Sequence, residues 1–395
     1  MFEKLYLKAR NAYRKVSVKI INKWIYHHNK LPKSVNYFEG SLYDAVYESA
    51  LKYPYNTAIE YENNQITYKQ LIKKINKVAK CLKYLGVQKG DKVTICMPNT
   101  PEEVAMFYAI NEIGAVANMI HPLSSEKDIE YYLNKSGSKV MLCIDIAYKK
   151  VNNIIDNTNL KKVIVTSATK SMERITALLY WLVKGRKMNI KENEKFILWD
   201  HFMNYASKYQ EDPYEAVDSN DPAVILYSGG TTGKPKGVVI SNYSFNAQAL
   251  QSKYTEPEAL QPENAFLTFL PNFHAFGIGI CTHTPLYNGM RAILIPQFNA
   301  KKLDELIVRY KPAVLTGVPT LYEAMMTNAG MRHVDLSCLK YVVSGGDSLS
   351  VAMADRLNKF LVEHGANVKV LQGYGMTESL AATAVSHGES YREGS

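Results

Sequence analysis

Residues 227–239 read YSGGTTGKPKGVV and follow an apolar run, 223–226, that predicts a buried strand. Glycine backbones can turn several N–H groups toward one point, which makes a concave site for an anion. Hydroxyl donors and lysine charges strengthen such a site, so this segment predicts a loop that binds a polyphosphate. The loop consists of Ser228, Gly229, Gly230, Thr231, Thr232, Gly233, Lys234 and Lys236.

The loop does not follow the Walker pattern, which needs a glycine five residues before its Gly-Lys pair and Ser or Thr directly after it. Position 228 is serine here, and Lys234 precedes Pro235. A flexible surface loop would also be rich in glycine and threonine. The density of these residues, with two lysines after a buried strand, favours the phosphate site.

The composition indicates a globular protein with room for more than one subdomain: 395 residues, 47% hydrophobic and 21% charged. The five cysteines are scattered and include no CxxC pair, which argues against a disulfide framework or a zinc site. Apolar runs are too short for a spanning helix, and the first residues lack a cleavable signal pattern. We therefore expect a cytoplasmic protein.

Most of the net charge of +10 lies at the start of the chain, where residues 1–36 carry nine Lys or Arg and one Glu. Apolar residues recur there every three or four positions, which predicts a basic amphipathic helix. Such a helix either contacts the inner face of a membrane through residues 1–27 or packs on the protein's own body. Because the rest of the chain is near neutral, a nucleic-acid partner is not expected.

Alternating strand and helix patterns between residues 41 and 144 predict an α/β fold with parallel strand pairing. Residues 175–183 form an apolar run with basic flanks, which fits a core helix or a second interfacial contact. Three later segments place small residues after apolar strands, where ligands bind in open parallel sheets. They are 266–279 (FLTFLPNFHAFGIG), 341–349 (YVVSGGDSL) and 371–379 (LQGYGMTES), with 314–322 (VLTGVPTLY) as a further case.

These motifs, with the stretch 90–123, resemble those of the adenylate-forming superfamily, which includes acyl-CoA synthetases, luciferases and the adenylation domains of peptide synthetases. The resemblance covers about residues 40–395 and implies the family's large N-terminal domain. That domain has stacked, mostly parallel sheets flanked by helices and a small β subdomain. The implied reaction activates a carboxylic acid with ATP and Mg²⁺ to an acyl-adenylate and then passes the acyl group to coenzyme A.

The resemblance also implies roles for individual residues. Lys236, Thr377 and Glu378 would be catalytic, with Glu378 as the Mg²⁺ ligand and the hydroxyl of Thr377 on the α-phosphate. Besides the phosphate loop, the nucleotide would contact Gly346, Asp347, Ser348, Tyr374 and Gly375. Relatives often have Ala-Pro at positions 347–348, so the adenine contacts differ there. The acyl pocket would be lined by His274, Val318, Gly345 and Gly373, while His121 is expected to be structural.

The acid is expected to lack an α-amino group, because amino-acid-activating relatives place an aspartate at the position of His274. The Gly229-Gly230 pair and the basic arm favour a medium- or long-chain fatty acid. An aryl acid such as a cinnamate and a short acid both remain open. A nucleotide-binding module without catalytic activity is the alternative from a different functional class.

We expect an arm (1–36) and one AMP-binding domain (37–395) with subdomains at about 37–220 and 221–395. Relatives continue beyond the position of Ser395 into a small mobile C-terminal domain with a catalytic lysine. The expectation is therefore a truncated large domain that binds ATP and acid but adenylates poorly. The sequence predicts no oligomeric state.

Overall fold

Two β-sheets organise the chain in a computed structural model that describes residues 34–173, 190–229 and 235–386. All the helices and strands of the described residues lie in the unit Phe38–Ser395. The predicted arm at 1–36 lies outside the described residues except for positions 34–36, and the apolar run at 175–183 lies wholly outside them. None of the described helices is long and apolar enough to cross a membrane.

The first sheet has seven strands in the order β7-β6-β5-β3-β4-β8-β9 and is parallel except for the last pair. The inner strand Val140–Ile144 is buried at every position, as expected when helices cover both faces of a parallel sheet. The strands are β3 Lys92–Cys96, β4 Val116–Met119, β5 Val140–Ile144, β6 Lys162–Thr166, β7 Phe196–Leu198, β8 Pro222–Ser228 and β9 Lys236–Ser241.

The second sheet has eight strands in the order β15-β14-β13-β12-β10-β11-β1-β2, with antiparallel pairs only at its two ends. Its members come from both halves of the chain, because the first two strands follow residue 56 and the others follow residue 264. They are β1 Thr57–Tyr61, β2 Asn64–Thr67, β10 Ala265–Thr268, β11 Arg291–Leu294, β12 Val314–Gly317, β13 Tyr341–Gly345, β14 Val370–Tyr374 and β15 Ala384–Val385.

The helices begin where the sequence supplies caps. Several follow a Ser or Thr in extended conformation whose hydroxyl accepts a hydrogen bond from the first turn, as N-cap residues do. The helices are α1 Leu42–Lys52, α2 Tyr68–Tyr84, α3 Pro101–Glu112, α4 Glu126–Ser136, α5 Tyr148–Ile154, α6 Trp199–Asn204, α7 Asn242–Thr255, α8 Thr284–Tyr287, α9 Leu303–Tyr310, α10 Pro319–Thr327 and α11 Val351–Glu363; a π-helix spans Phe276–His283.

The predicted α/β fold with mostly parallel sheets is confirmed, and the strands and helices expected between residues 41 and 144 are present. All described strands belong to the two sheets, so a separate small β subdomain is not found among the described residues. The expected subdomain boundary at about residue 220 does not separate the two sheets. Strands β1 and β2, which precede it, join the second sheet, and β8 and β9, which follow it, join the first. In the segment 314–322, β12 and Val318 are followed directly by α10, which begins at Pro319.

Candidate nucleotide and acyl site

The predicted phosphate loop connects the antiparallel strands β8 and β9, in which Ser228 pairs with Lys236. Tyr227 Oη donates a hydrogen bond of 2.9 Å to Asn118 Oδ1, which fixes the loop's first end to β4. Tyr131 Oη, from α4, donates one of 3.2 Å to the Pro235 carbonyl at the other end. The structure describes Ser228, Gly229 and Lys236, whereas Gly230, Thr231, Thr232, Gly233 and Lys234 lie outside the described residues.

A second predicted motif follows β14 and reaches this hairpin. Residues Thr377–Ser379 form one 3₁₀ turn, whose Cα atoms come within 8 Å of Cα atoms in both β8 and β9. The turn is braced by Ser379 Oγ, 2.7 Å from Thr383 Oγ1, and by the Thr383 N–H, which donates to the Tyr374 carbonyl at 2.8 Å. The structure therefore brings the segment with Thr377 and Glu378 to the strands that carry Ser228 and Lys236.

Gly375 holds the shape of this segment. A Cβ atom on Gly375 would lie 1.0 Å from the carbonyl oxygen of Ala381, so no other residue fits without movement of the backbone. The chain turns back there through Leu380 and Ala381, both with positive φ. The glycine at 375 is thus required by the close approach of two backbone segments.

The polar side chains of this site have no partner within the part of the chain that the structure describes. The side chains of Lys236 and Glu378 are exposed, and that of Thr377 is half-buried. None of the three makes a hydrogen bond or ion pair with another described residue, and the ring of Tyr374 is largely exposed. A cation, a hydroxyl, a carboxylate and an aromatic face are therefore available to a ligand.

These groups fit a magnesium-bound nucleotide. The described residues contain no group of three or more His, Cys, Asp or Glu side chains placed to hold a metal ion. Mg²⁺ keeps several waters and is commonly bound through one or two carboxylates and substrate phosphates. Glu378 alone would suffice as its protein ligand.

Four residues predicted for the acyl pocket or the adenine meet at the carboxyl ends of β12, β13 and β14. A Cβ on Gly345 would lie 3.2 Å from the Gly373 carbonyl oxygen, and one on Gly346 would lie 3.3 Å from Val318 Cγ1. Gly346 has a φ of +78°, which favours glycine. Gly346, which was predicted to contact the adenine, thus lies against Val318, which was predicted to line the acyl pocket.

Phe276 belongs to this cluster and was not predicted. Its Cε1 lies 3.1 Å from the position that a Cβ on Gly345 would take. Phe276 follows His274 by two positions. The apolar spacing of FHAFGIG does not indicate which of its aromatic side chains lies against Gly345. Asp347 and Ser348 are exposed on the adjoining turn, where the Ser348 N–H donates to Asp347 Oδ1 at 2.7 Å.

His274 lies between β10 and the π-helix, on a turn held by buried polar groups. Burial lowers the pKa of its imidazole, and the neighbouring His121 lowers it further. His121 accepts a hydrogen bond of 2.8 Å from the Leu123 N–H at Nδ1, and its ring centre lies 4.3 Å from that of Phe273. The hydrogen bond and the ring contact of His121 agree with a structural role for that residue. The lowered pKa of His274 favours a neutral ring.

A buried network missed at the sequence level holds this turn. Asn272 donates through Nδ2 to Glu103 Oε2 at 2.7 Å and accepts at Oδ1 from the Thr282 hydroxyl at 2.8 Å. Its backbone N–H donates to Asn99 Oδ1 at 3.0 Å. The network ties the turn before His274 to α3 on one side and to the π-helix on the other. The polar residues of MPNTPEE (97–103) were visible, but their partners lie about 170 positions away.

Comparison with known protein families gives one clear match. The model of the family described as AMP-binding enzyme matches residues 46–395. A long-chain-fatty-acid–CoA ligase of Bacillus subtilis is 26% identical over 90% of this chain and 63% of its own length. A 4-coumarate:CoA ligase of Petunia hybrida is 27% identical over 80% of this chain and 53% of its own length. The chain thus spans less than two thirds of these relatives.

Solved structures show the same fold. An anthranilate CoA ligase in complex with anthranoyl-AMP matches with a TM-score of 0.76, at 21% identity over 92% of this chain and 64% of its own. A long-chain-fatty-acid–CoA ligase from Archaeoglobus fulgidus matches with a TM-score of 0.73, at 23% identity over 89% of this chain and 67% of its own. At these identities the likeness concerns the fold alone.

Proposed function

Because this chain belongs to the AMP-binding enzyme family, we propose that it binds ATP with Mg²⁺ and a carboxylic acid, as the nucleotide-binding part of an AMP-forming acyl-CoA synthetase. The approach of Thr377–Ser379 to β8 and β9 carries the proposal. It brings the segments that carry Lys236, Thr377 and Glu378 together, and these side chains have no partner among the described residues. Their chemistry suits a triphosphate and a hard cation.

In this proposal the protein acts by positioning and by charge. Lys236 and the backbone N–H groups of the phosphate loop offset the negative charge of the phosphates, and the Thr377 hydroxyl donates to an α-phosphate oxygen. Glu378 holds the Mg²⁺, which when bound stabilises the charge that develops on the phosphoryl oxygens. Tyr374 and residues 346–348 hold the adenine. The attacking carboxylate then needs only correct placement against the α-phosphorus.

In this proposal the acid pocket is formed by His274, Val318, Gly345 and Gly373, and the ring of Phe276 beside Gly345 supports including that residue as well. An imidazole carries either no charge or a positive charge, so His274 gives no negative partner for a substrate ammonium group. Relatives that act on long-chain fatty acids and on 4-coumarate both match this chain. We propose a medium- or long-chain fatty acid, with an aryl acid as the competing substrate and coenzyme A as the acyl acceptor.

Thermal unfolding with ligands tests the binding proposal. ATP with Mg²⁺ should raise the melting temperature, since a ligand that binds only the folded state stabilises it. Glu378→Gln should abolish most of the Mg²⁺-dependent part of this rise in melting temperature, whereas Glu263→Gln, at an exposed residue before β10, should leave it unchanged. No shift with ATP and Mg²⁺ would refute the proposal. Fatty acids of graded length and 4-coumarate, added with ATP, then identify the acid.

Turnover is tested separately, because the relatives are longer than this chain. The remaining C-terminal part of the Bacillus subtilis relative is supplied in trans, and pyrophosphate release is measured with ATP, Mg²⁺ and acid. Release above that of this chain alone supports the synthetase. Binding of ATP without any release would favour a nucleotide-binding module that lacks catalytic activity.

Residues 1–27, within the arm 1–36, are proposed to make a peripheral membrane contact, because their sequence combines basic charge with an apolar stripe. The test compares the full chain with one that starts at residue 37, using sedimentation with vesicles of phosphatidylglycerol. Equal binding of the two proteins would refute this contact.

A further inference from the structure

Helix α2 carries an unusual surface. Its 17 residues include six lysines and no Asp or Glu. At about 100° per residue, four of these lysines fall within about 80° of one another around the helix axis. The residues opposite them are fully buried, so the four face away from the core, with Lys69, Lys73 and Lys77 exposed and Lys80 half-buried. This set of four, named the lysine ridge, consists of Lys69, Lys73, Lys77 and Lys80; the buried residues opposite are Leu71, Ile75, Val78 and Leu82.

The charge of the lysine ridge is not offset by ion pairs among the described residues. The two lysines on the flanks of α2 are paired, Lys74 with Glu102 at 2.8 Å and Lys83 with Glu215 at 2.6 Å. The four ridge lysines make no ion pair with any residue in the described ranges. With a rise of about 1.5 Å per residue, they place four uncompensated cations along about 17 Å of straight helix.

Exposed apolar and aromatic side chains lie at the first end of the ridge. Tyr55 is 78% exposed, and Lys69 Nζ lies 5.9 Å from the centre of its ring. The Lys69 N–H donates to the Pro54 carbonyl at 3.0 Å, which fixes this turn against the start of α2. Leu51, at the end of α1, is 60% exposed. An amphipathic ring therefore lies beside the first cation, and the exposed Leu51 lies three residues before Pro54.

The second end of the ridge repeats this arrangement. Tyr84 is 43% exposed, and Lys208 Nζ lies 5.5 Å from the centre of its ring. Tyrosine is enriched where membranes meet water, because its ring is apolar and its hydroxyl remains hydrated. A nucleic-acid backbone would use the lysines but would gain little from Leu51 or from a tyrosine at each end. A flat anionic lipid surface would use both kinds of side chain.

We propose that the lysine ridge docks the folded domain on an anionic lipid bilayer. The lysines contact the head groups, and Tyr55 and Leu51 enter the boundary between head groups and acyl chains. This inference rests on α2 and its neighbours, so it does not depend on the proposed reaction or on residues 1–36. Each lysine near an anionic surface raises the partition coefficient about fivefold. Four lysines therefore raise it by about several hundredfold.

The test uses the full chain and two variants with the same change in net charge. The ridge variant replaces all four ridge lysines with Gln. The control variant replaces four exposed lysines on other elements, namely Lys127, Lys139, Lys149 and Lys369. Sedimentation with vesicles of equal parts phosphatidylglycerol and phosphatidylcholine should show at least a tenfold loss of binding for the ridge variant and little change for the control variant. Equal binding of wild type and ridge variant, or equal losses in both variants, would overturn the proposal.

Two further measurements distinguish docking on lipid from a purely ionic contact and from a nucleic-acid surface. Leu51→Ser combined with Tyr55→Ser keeps every charge, and it should weaken vesicle binding severalfold if these side chains enter the bilayer; no loss would overturn a membrane-inserted contact. Fluorescence anisotropy with duplex DNA tests a nucleic-acid surface. A ridge variant that loses DNA binding but keeps vesicle binding would also overturn the proposal. Vesicles of phosphatidylcholine alone should bind wild type and ridge variant equally weakly.

Discussion

Glu103 is a fully buried acid in α3, and the only hydrogen bond to its carboxylate within the described residues comes from Asn272 Nδ2. The second carboxylate oxygen has no partner there. Burial raises the pKa of Glu103 from 4.5 to about 8. Between these pH values the folded state keeps the proton and the unfolded state loses it. Unfolding therefore releases a proton, and the free energy of unfolding of the wild type falls as the pH rises.

Glu103→Gln removes this titration while keeping an oxygen that accepts from Asn272. We expect the free energy of unfolding of the variant, relative to wild type, to rise between about pH 5 and about pH 8, by about 4 kcal/mol at most. Urea unfolding at the two pH values measures it, with Glu263→Gln as an exposed control. A difference between variant and wild type that stays constant with pH would contradict the assignment.

Gly375 allows a second prediction at a single position. In Gly375→Ala the new Cβ would overlap the Ala381 carbonyl, so the segment after β14 must move. We expect a loss of about 1–3 kcal/mol in stability and weaker binding of ATP, because Thr377 and Glu378 move with the segment. Gly229→Ala is the control for stability, since its Cβ would meet nothing within 4 Å. An unchanged melting temperature together with unchanged ATP binding would refute this account of Gly375.

At the scale of elements, the β8–β9 hairpin explains how the two ends of the predicted phosphate loop are fixed. The loop's second end is fixed by the Tyr131 hydroxyl on the Pro235 carbonyl. Tyr131→Phe removes that hydrogen bond, which typically contributes about 0.5–1.5 kcal/mol. If the bond orders the loop for the phosphates, ATP should bind about two- to tenfold more weakly.

The neighbouring Tyr132 provides a matched control for this change. Its ring packs on Tyr227 at 4.1 Å, and its hydroxyl makes no hydrogen bond within the described part of the chain. Tyr132→Phe should therefore bind ATP like the wild type in isothermal titration calorimetry. Equal losses in both variants would show that the Tyr131–Pro235 contact has no specific part in ordering the loop.

At the scale of the whole molecule, the elements were predictable where a local pattern determines them. Buried strands such as β5 and capped helices such as α3 follow from apolar runs and N-cap residues. The antiparallel pairing of β8 with β9 could also be predicted from the sequence, because the seven residues between the two strands are too few for a parallel crossover. By contrast, the contacts of Asn272 with Glu103 and of Gly345 with Phe276 join distant positions, and no local period specifies them. The pairing of β1 with β11 also joins distant positions, so no local pattern specifies it.

The exchange of strands between the sheets predicts that the two halves of the chain cannot fold separately. Ile59 of β1 pairs with Ala292 of β11, and Ala117 of β4 pairs with Val224 of β8. A cut between residues 220 and 221 would leave β4 with an open edge in one fragment and β11 with an open edge in the other. Each edge would expose apolar side chains and unpaired backbone groups.

We therefore expect fragments 1–220 and 221–395 to lack cooperative thermal unfolding when each is expressed alone. A mixture refolded together should recover the near-ultraviolet circular dichroism of the intact chain, because both missing strand pairs can then form. A cooperative transition in fragment 1–220 alone would contradict the prediction. It would mean that the helices packed on the first sheet stabilise it without β8, and that β1 can leave β11 without loss of the core around Ile59.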